Sequence, residues 1–288
     1  MSIELVKSLS IVSENVYSLK LYGGASLKSD EMERGWGHLR REKESNIITM
    51  KKGKYVSGYS VGILYLDEAW YPVLPGNVAN LTTYDFPVRL KVVPNCTQER
   101  IHVGDPTLLD DVIKAAKELE AEGARAISAA CGFFGNFQAE VARAVDIPVF
   151  LSSVIQLPWI QSGLKANQEI AMLTADIHGI TNKLYESCGV TNTENIKVKG
   201  LGDLPEFSAI VESRGSFDND IVREEVVKAA LELVNENPNI GAFLLECSDL
   251  PPYAADIQRV TDLPVFDFIT MINWVHMATT QKPYHGFI

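Results

Sequence analysis

The sequence predicts an α/β protein built from two similar lobes, and three observations carry that prediction. Apolar, strand-like runs alternate with segments of helical period along most of the chain. The layout of residues 129–150 recurs at 243–268, and in both copies a cysteine stands at the same distance from a Pro-Val-Phe triplet. Strands that alternate with helices of this length need crossover connections, and right-handed crossovers give parallel sheets covered on both faces.

The first 57 residues fit that pattern least. SDEMERGWGHLRREKESN (29–46) is densely charged, and IITMKKGKYVSGYS (47–60) reads as a hairpin across Gly53, so residues 1–57 are expected to form an extension that serves as a flap or a subunit contact. From residue 58 the strand-like runs are Ser60–Leu66, Val88–Val93, Ala126–Ala130 and Val149–Leu151, which make a first lobe over 58–163. Ile170–Thr174, Ile196–Leu201, Ala242–Leu245 and Val265–Phe268 follow and make a second lobe over 164–267. The segment 268–288 is expected to cross back to the first lobe. Helical period is clear in LLDDVIKAAKELEAEG (108–123), IHGITNKLYESCG (177–189) and DIVREEVVKAALELVNEN (220–237).

Composition narrows the function. A chain of 288 residues that is 46% hydrophobic and 22% charged can bury one large core or two smaller ones. Its net charge of −11 argues against nucleic acid and against an anionic membrane, since both call for a basic surface. A small anionic substrate stays compatible, because a pocket answers to local dipoles. The amino terminus breaks its apolar residues with Glu4, Lys7 and Glu14, and no eighteen apolar residues run together, so the expected compartment is the cytoplasm. The four cysteines, without dense or regular spacing, read as free thiols in a reducing environment.

The repeat singles out two of those thiols. Cys131 precedes Pro148 by 17 positions, and Cys247 precedes Pro264 by 17. Upstream, VIKAA (112–116) corresponds to VVKAA (226–230); downstream, Trp159 and Trp274 follow their cysteines by 28 and 27 positions. Cys96 and Cys188 have no counterpart in this scheme and read as structural. In a parallel sheet, Cys131 and Cys247 both fall just past the carboxyl end of a strand, the edge where open α/β sheets bind ligands. The start of a following helix would lower a thiol's pKa there and offer N–H groups to a carboxylate. Two lobes related by a pseudo-two-fold axis would set one thiol on each side of a small acid in the cleft. That arrangement serves two-base racemization, in which one thiolate takes the α-proton and the opposite thiol returns one.

At these residues the sequence resembles the aspartate/glutamate racemase superfamily, which includes hydantoin racemases, arylmalonate decarboxylases and maleate isomerases. The resemblance spans roughly residues 58 to 275 and rests on GILYLD (62–67), AACG (129–132), IAMLTA (170–175) and LLECSDLP (244–251). It implies catalytic roles for Cys131 and Cys247, work without pyridoxal phosphate or any other cofactor, and an acidic residue near the first cysteine that Asp67 matches. It also implies that Ser248 and Asp249 occupy the hydroxyl and acidic positions after the second cysteine. The first motif departs from Cys-Asn-Thr, whose last two residues bind the α-carboxylate in the amino-acid racemases; Gly132 and Phe133 stand there instead.

Further polar residues near strand ends are candidates for substrate contact: Asn80, Thr82 and Thr83 in PGNVANLTTYDF, Ser152 and Ser153, and Thr174. Arg89 and Lys91 are candidates for a distal carboxylate. The five histidines lack HExxH or Cys/His ligand spacing, GLGDLPEF (200–207) has Pro205 where a dinucleotide fingerprint needs glycine, and no P-loop occurs, so no metal or nucleotide is expected. The function read from the sequence is racemization of a small carboxylate such as aspartate or glutamate, by an assembly expected to be a homodimer. Hydantoin racemization, decarboxylation and cis–trans isomerization are the alternatives within the superfamily, and a two-lobed binding protein is the alternative outside it.

Overall fold

The computed structural model describes residues 58–283, together with the backbone of 39–41 and 48–50. Strands β1 (Leu39–Arg41) and β2 (Ile48–Met50) pair antiparallel, with Arg40 opposite Thr49. They belong to a unit of their own, residues 1–50. The hairpin expected across Gly53 falls at 51–57, outside the described residues, and β2 pairs upstream with β1. The flap or subunit-contact role expected of residues 1–57 likewise lies outside them.

The described residues from 58 onward hold eight further strands: β3 (Val61–Tyr65), β4 (Val88–Val92), β5 (Ala126–Ala129), β6 (Val149–Phe150), β7 (Glu169–Thr174), β8 (Ile196–Gly200), β9 (Ile240–Leu245) and β10 (Val265–Phe266). They form two parallel four-stranded sheets, ordered β4-β3-β5-β6 and β10-β9-β7-β8. Counted within each lobe, both orders are second, first, third, fourth. Both central strand pairs are in matching positions, Ile63 opposite Ser128 in one sheet and Met172 opposite Leu244 in the other. Alternation along the strands sends Ile170, Met172, Ala242 and Leu244 to one face of the second sheet, and Ala171, Leu173, Phe243 and Leu245 to the other.

Helices cover those faces. Leu109–Glu122 lies on the first sheet through Val112, Ala116 and Leu119, so close to β3 that a Cβ on Gly62 would come within 2.9 Å of Leu119. Asp110 and Asp111 complement the positive end of this helix, and Gly123, at φ 112°, closes it in the left-handed region that favours glycine. Asn219–Glu236 is capped by the Asp218 carboxylate and packs on the second sheet. The helix Phe268–Thr279 starts in a capping box between Asp267 and Thr270 and buries Phe268, Met271, Ile272 and Val275 against Val61, Ile63 and Ala126 of the first sheet.

Each lobe lends its last helix to the other. Trp159, on Leu157–Gly163 after β6, meets Phe266 of β10 edge-on, with ring centroids 5.7 Å apart. Trp274, on the helix after β10, meets Phe150 of β6 in the same way at 5.8 Å. These exchanged contacts seat the carboxyl edges of the two sheets around one cleft. No helix among the described residues is long and apolar enough to cross a membrane.

Candidate active site

Both repeat cysteines stand two residues beyond the third strand of their sheet, Cys131 after Ala129 and Cys247 after Leu245. Neither opens an α-helix. Cys131 stands just before the 3-10 turn Gly132–Phe137, without a capping hydrogen bond from its side chain, and an α-helix begins only at Gln138. Cys247 is separated from the helix Ala254–Thr261 by a turn and a 3-10 segment. What faces each thiol is a local N–H, that of Phe133 at Cys131 and that of Asp249 at Cys247, in both cases the residue two positions on.

The two thiols line one narrow cleft, partly open to solvent, together with Leu66, Tyr71, Gln98, His102, Phe133 and Glu246. The electrostatics differ from the sequence expectation of a lowered thiol pKa. Burial pushes both thiols well above the ordinary cysteine value, and carboxylates add to the rise: Glu246 at Cys131, Asp249 and then Glu246 at Cys247. Among the described residues no Lys or Arg lines the cleft, and burial holds the imidazole of His102 below the ordinary histidine value against the pull of Asp176.

The two thiols have unlike partners. Cys247 Sγ donates to Asp249 Oδ2 at 3.5 Å. The same carboxylate accepts from Tyr71 Oη at 3.3 Å, Ser248 Oγ at 3.5 Å and the Asn77 amide. Burial lifts Asp249 to about 6, partly offset by those four donors, so it is ionised at neutral pH. Tyr71 in turn bonds Tyr65, whose phenol burial pushes up to about 12. Near Cys131 stands Glu246, fully buried; burial lifts its carboxyl to about 8 while a hydrogen bond from Thr174 Oγ1 to Oε2, at 2.7 Å, works the other way.

Of the residues singled out in the sequence, Cys131, Gly132, Phe133, Cys247, Ser248 and Asp249 meet at the cleft. Thr174 reaches it through Glu246. The structure places the others elsewhere. Asp67 accepts from the Asn95 N–H at 2.9 Å and ties down a loop. Asn80 caps the 3-10 turn Leu81–Thr83 and donates to the Val73 carbonyl, and Thr82 donates back to Asn80 Oδ1. Ser152 is buried as the cap of Ser153–Gln156. These are turn-forming roles, the ordinary use of Asn, Thr and Ser beside glycine and proline. Ser153 donates to the carbonyls of Leu245 and Glu246 and so braces the second cysteine's strand from the first lobe. Arg89 and Lys91 meet Glu122, with Lys91 also on Glu118, outside the cleft lining.

Four polar lining residues escaped the sequence reading: Tyr71, Gln98, His102 and Glu246. Glu246 had a signal, since a carboxylate closing the apolar run AFLLE just before a cysteine must be buried with it. Tyr71, Gln98 and His102 lie in loops or a short helix with no periodicity to mark them. Among the described residues no group of three His, Cys, Asp or Glu side chains is placed to hold a metal ion.

No family model matches the chain. It is 34% identical over 240 residues to dimethylsulfoniopropionate lyase 7 of Emiliania huxleyi, covering 79% of this chain and 69% of that protein. It is 30% identical over 234 residues to a dimethylsulfoniopropionate lyase of Durusdinium sp. clade D, covering 79% and 77%. Among solved structures, arylmalonate decarboxylase superposes with a TM-score of 0.51 at 18% identity over 76% of this chain and 92% of that one. Allantoin racemase of Klebsiella pneumoniae gives 0.51 at 16% identity, over 75% and 86%. The fold is the one seen in arylmalonate decarboxylase and allantoin racemase.

Proposed function

The chain belongs to the dimethylsulfoniopropionate lyase family, and from that premise we propose that it is a lyase that removes dimethyl sulfide from a β-sulfonio carboxylate. The observation that carries this reading is the Cys247–Asp249 pair in a cleft lined by acids and aromatic rings, with no Lys or Arg among the described lining residues. The second carboxylate of an acidic amino acid finds no Lys or Arg among the described lining residues. A zwitterion with a sulfonium group brings its own cation to the carboxylates and the Tyr71 ring.

The chemistry follows from the same geometry. At neutral pH the pair carries one negative charge shared between a thiol and a carboxylate. In the empty cleft burial keeps the proton on sulfur; a sulfonium lodged beside the pair favours the thiolate, by the rule that an opposite charge stabilises the charged form. Cys247, with Asp249 taking up its own proton, removes the α-proton of the substrate. The C–H electron pair becomes the Cα=Cβ double bond, the Cβ–S bond breaks, and sulfur leaves with that bond's electrons as neutral dimethyl sulfide. Acrylate remains, and the proton taken up by the pair passes to solvent. Proton removal next to a carboxylate is the step that racemization shares, which is why one fold serves both reactions.

The second thiol on the cleft favours a second reading, interconversion of the enantiomers of an amino acid such as aspartate or glutamate. One experiment separates the two. Purified protein with dimethylsulfoniopropionate is expected to release dimethyl sulfide into the headspace with equimolar acrylate in solution. Absence of both, with loss of the α-proton signal of aspartate or glutamate in D₂O, would overturn the lyase in favour of the racemase.

A further inference from the structure

Glu246 lines the cleft, and the elimination just described assigns it no task. It is fully buried, and its two oxygens are treated differently. Oε2 accepts from Thr174. Oε1 is shielded from water and has no hydrogen-bond partner among the described residues. Oε1 also abuts Gly132, the residue after the first cysteine: a Cβ on Gly132 would lie 1.8 Å from it. Glycine at 132 is therefore what lets a carboxyl group from the second lobe reach the first cysteine's turn.

A buried polar atom without a partner costs on the order of 1–3 kcal/mol, and such an atom at a cleft wall is explained when a ligand completes it. The substrate's carboxylate needs donors, and no Lys or Arg lines the cleft among the described residues. We propose that Glu246, in its undissociated form, donates a hydrogen bond from Oε1 to a carboxylate oxygen of the substrate, and holds that oxygen while charge builds on it as the α-proton leaves. This rests on the reading of the cleft as the site of a carboxylate-activating lyase. A neutral acid fits the task because it adds no charge to an already acidic cleft, and a preorganised donor is strongest where charge develops in a water-poor site. Burial, which lifts this carboxyl to about 8, keeps it protonated at neutral pH.

The groups facing Glu246 come from several elements: Cys131 after β5, Cys247 and Asp249 after β9, Asp176 after β7 with His102 paired to it at 3.3 Å, and Tyr185 and Cys188 at the helix Asn182–Ser187. A test has to distinguish Glu246 from them, and propionate, which has a carboxylate but no leaving group, is the probe. Wild-type affinity for propionate, measured by calorimetry, is expected to be roughly tenfold weaker at pH 9 than at pH 7, as the protonated fraction of a group near 8 falls. Glu246→Gln keeps a donor and cannot ionise, so its affinity should stay level between those pH values. A level wild-type profile, or a Gln variant that keeps the wild-type slope, overturns the proposal. The wild-type protein alone gives a second reading that needs no variant to fold: the infrared C=O band of an undissociated carboxyl should shift to lower frequency when propionate is added at pH 7, and an unmoved band overturns the proposal. If propionate shows both effects while dimethylsulfoniopropionate yields no dimethyl sulfide, the lyase reading falls and the role of Glu246 stands. If dimethyl sulfide is released and both effects are missing, only the role of Glu246 falls.

Discussion

The two lobes share a backbone plan and divide the chemistry unequally. Each has a parallel sheet with the same strand order, a cysteine two residues past its third strand, and the N–H of the residue two further on turned to that thiol. Beyond the backbone they part. In the second lobe Cys247 is followed by Ser248 and Asp249, and the Asp249 carboxylate accepts a hydrogen bond from the thiol. In the first, Gly132 and Phe133 supply no acid, and the nearest carboxyl, Glu246, is borrowed from the second lobe. A symmetric pair of thiols suits a reaction that runs equally in both directions across Cα. A base on one side and a neutral acid on the other suit a reaction that removes one proton and expels a leaving group.

The largest test of that asymmetry is a pair of alanine variants. Cys247→Ala is expected to lower kcat for dimethyl sulfide release by about 10³-fold or more, the scale of a lost general base, and Cys131→Ala by about tenfold. Equal losses in steady-state headspace assays would restore the symmetric two-base picture. Next in size is Asp249→Asn, expected to cost about 10²-fold and to change the pH profile. Asp249 works when ionised, so wild-type activity should rise with pH through about 6. Glu246 works when protonated, so activity should fall through about 8. Asp249→Asn should lose the acidic limb and keep the alkaline one; a variant that keeps both limbs would show that another group governs the acid side.

Gly132→Ala probes the point where the lobes meet. Its Cβ would lie 1.8 Å from Glu246 Oε1 and 2.6 Å from the Glu246 carbonyl oxygen, so both the carboxyl and the strand end must shift. Overpacking of this kind costs about 1–3 kcal/mol, and the displaced acid should weaken propionate binding at pH 7 as Glu246→Gln does not. A variant with wild-type stability in denaturant unfolding and wild-type propionate affinity would mean that the contact is looser than the backbone geometry requires.

Much of this arrangement was legible in the sequence, and the reason is periodicity. Fully buried parallel strands leave unbroken apolar runs such as Ala126–Ala130 and Ala242–Leu245, and a duplicated unit preserves spacing, so Cys131 and Cys247 could be paired by counting. The environment of the thiols was not legible. Helix-terminus logic anticipated lowered thiols, but each cysteine is followed by a 3-10 turn and sits among carboxyl groups, and burial dominates. Asn80, Thr82 and Ser152 have the composition of a binding loop, but Asn80 and Ser152 cap turns and Thr82 bonds back to Asn80, since the same side-chain oxygens serve turns and ligands alike. Tyr71 and Asn77 reach Asp249 from the other lobe across more than 170 residues of sequence, and no local pattern records such a contact.

The smallest expected effect tests the half of the comparison in which the lobes agree. Trp159 and Trp274 each pack edge-on against the phenylalanine of the other lobe's Pro-Val-Phe triplet, at 5.7 and 5.8 Å, and they are 65% and 57% exposed. An aromatic pair of this geometry contributes about 0.5–1.5 kcal/mol beyond the area it buries. Trp159→Ala and Trp274→Ala should therefore destabilise the fold by similar amounts, about 1 kcal/mol each, and lower Tm by a few degrees, roughly 2–4 °C per kcal/mol for a chain of this size. Their effects should add in the double variant, because the two contacts share no partner. Both variants should keep wild-type kcat, since neither indole lines the cleft. If one tryptophan costs several-fold more than the other in thermal melts, the exchange of helices is itself lopsided, and the unequal chemistry of the two cysteines extends into the scaffold that carries them.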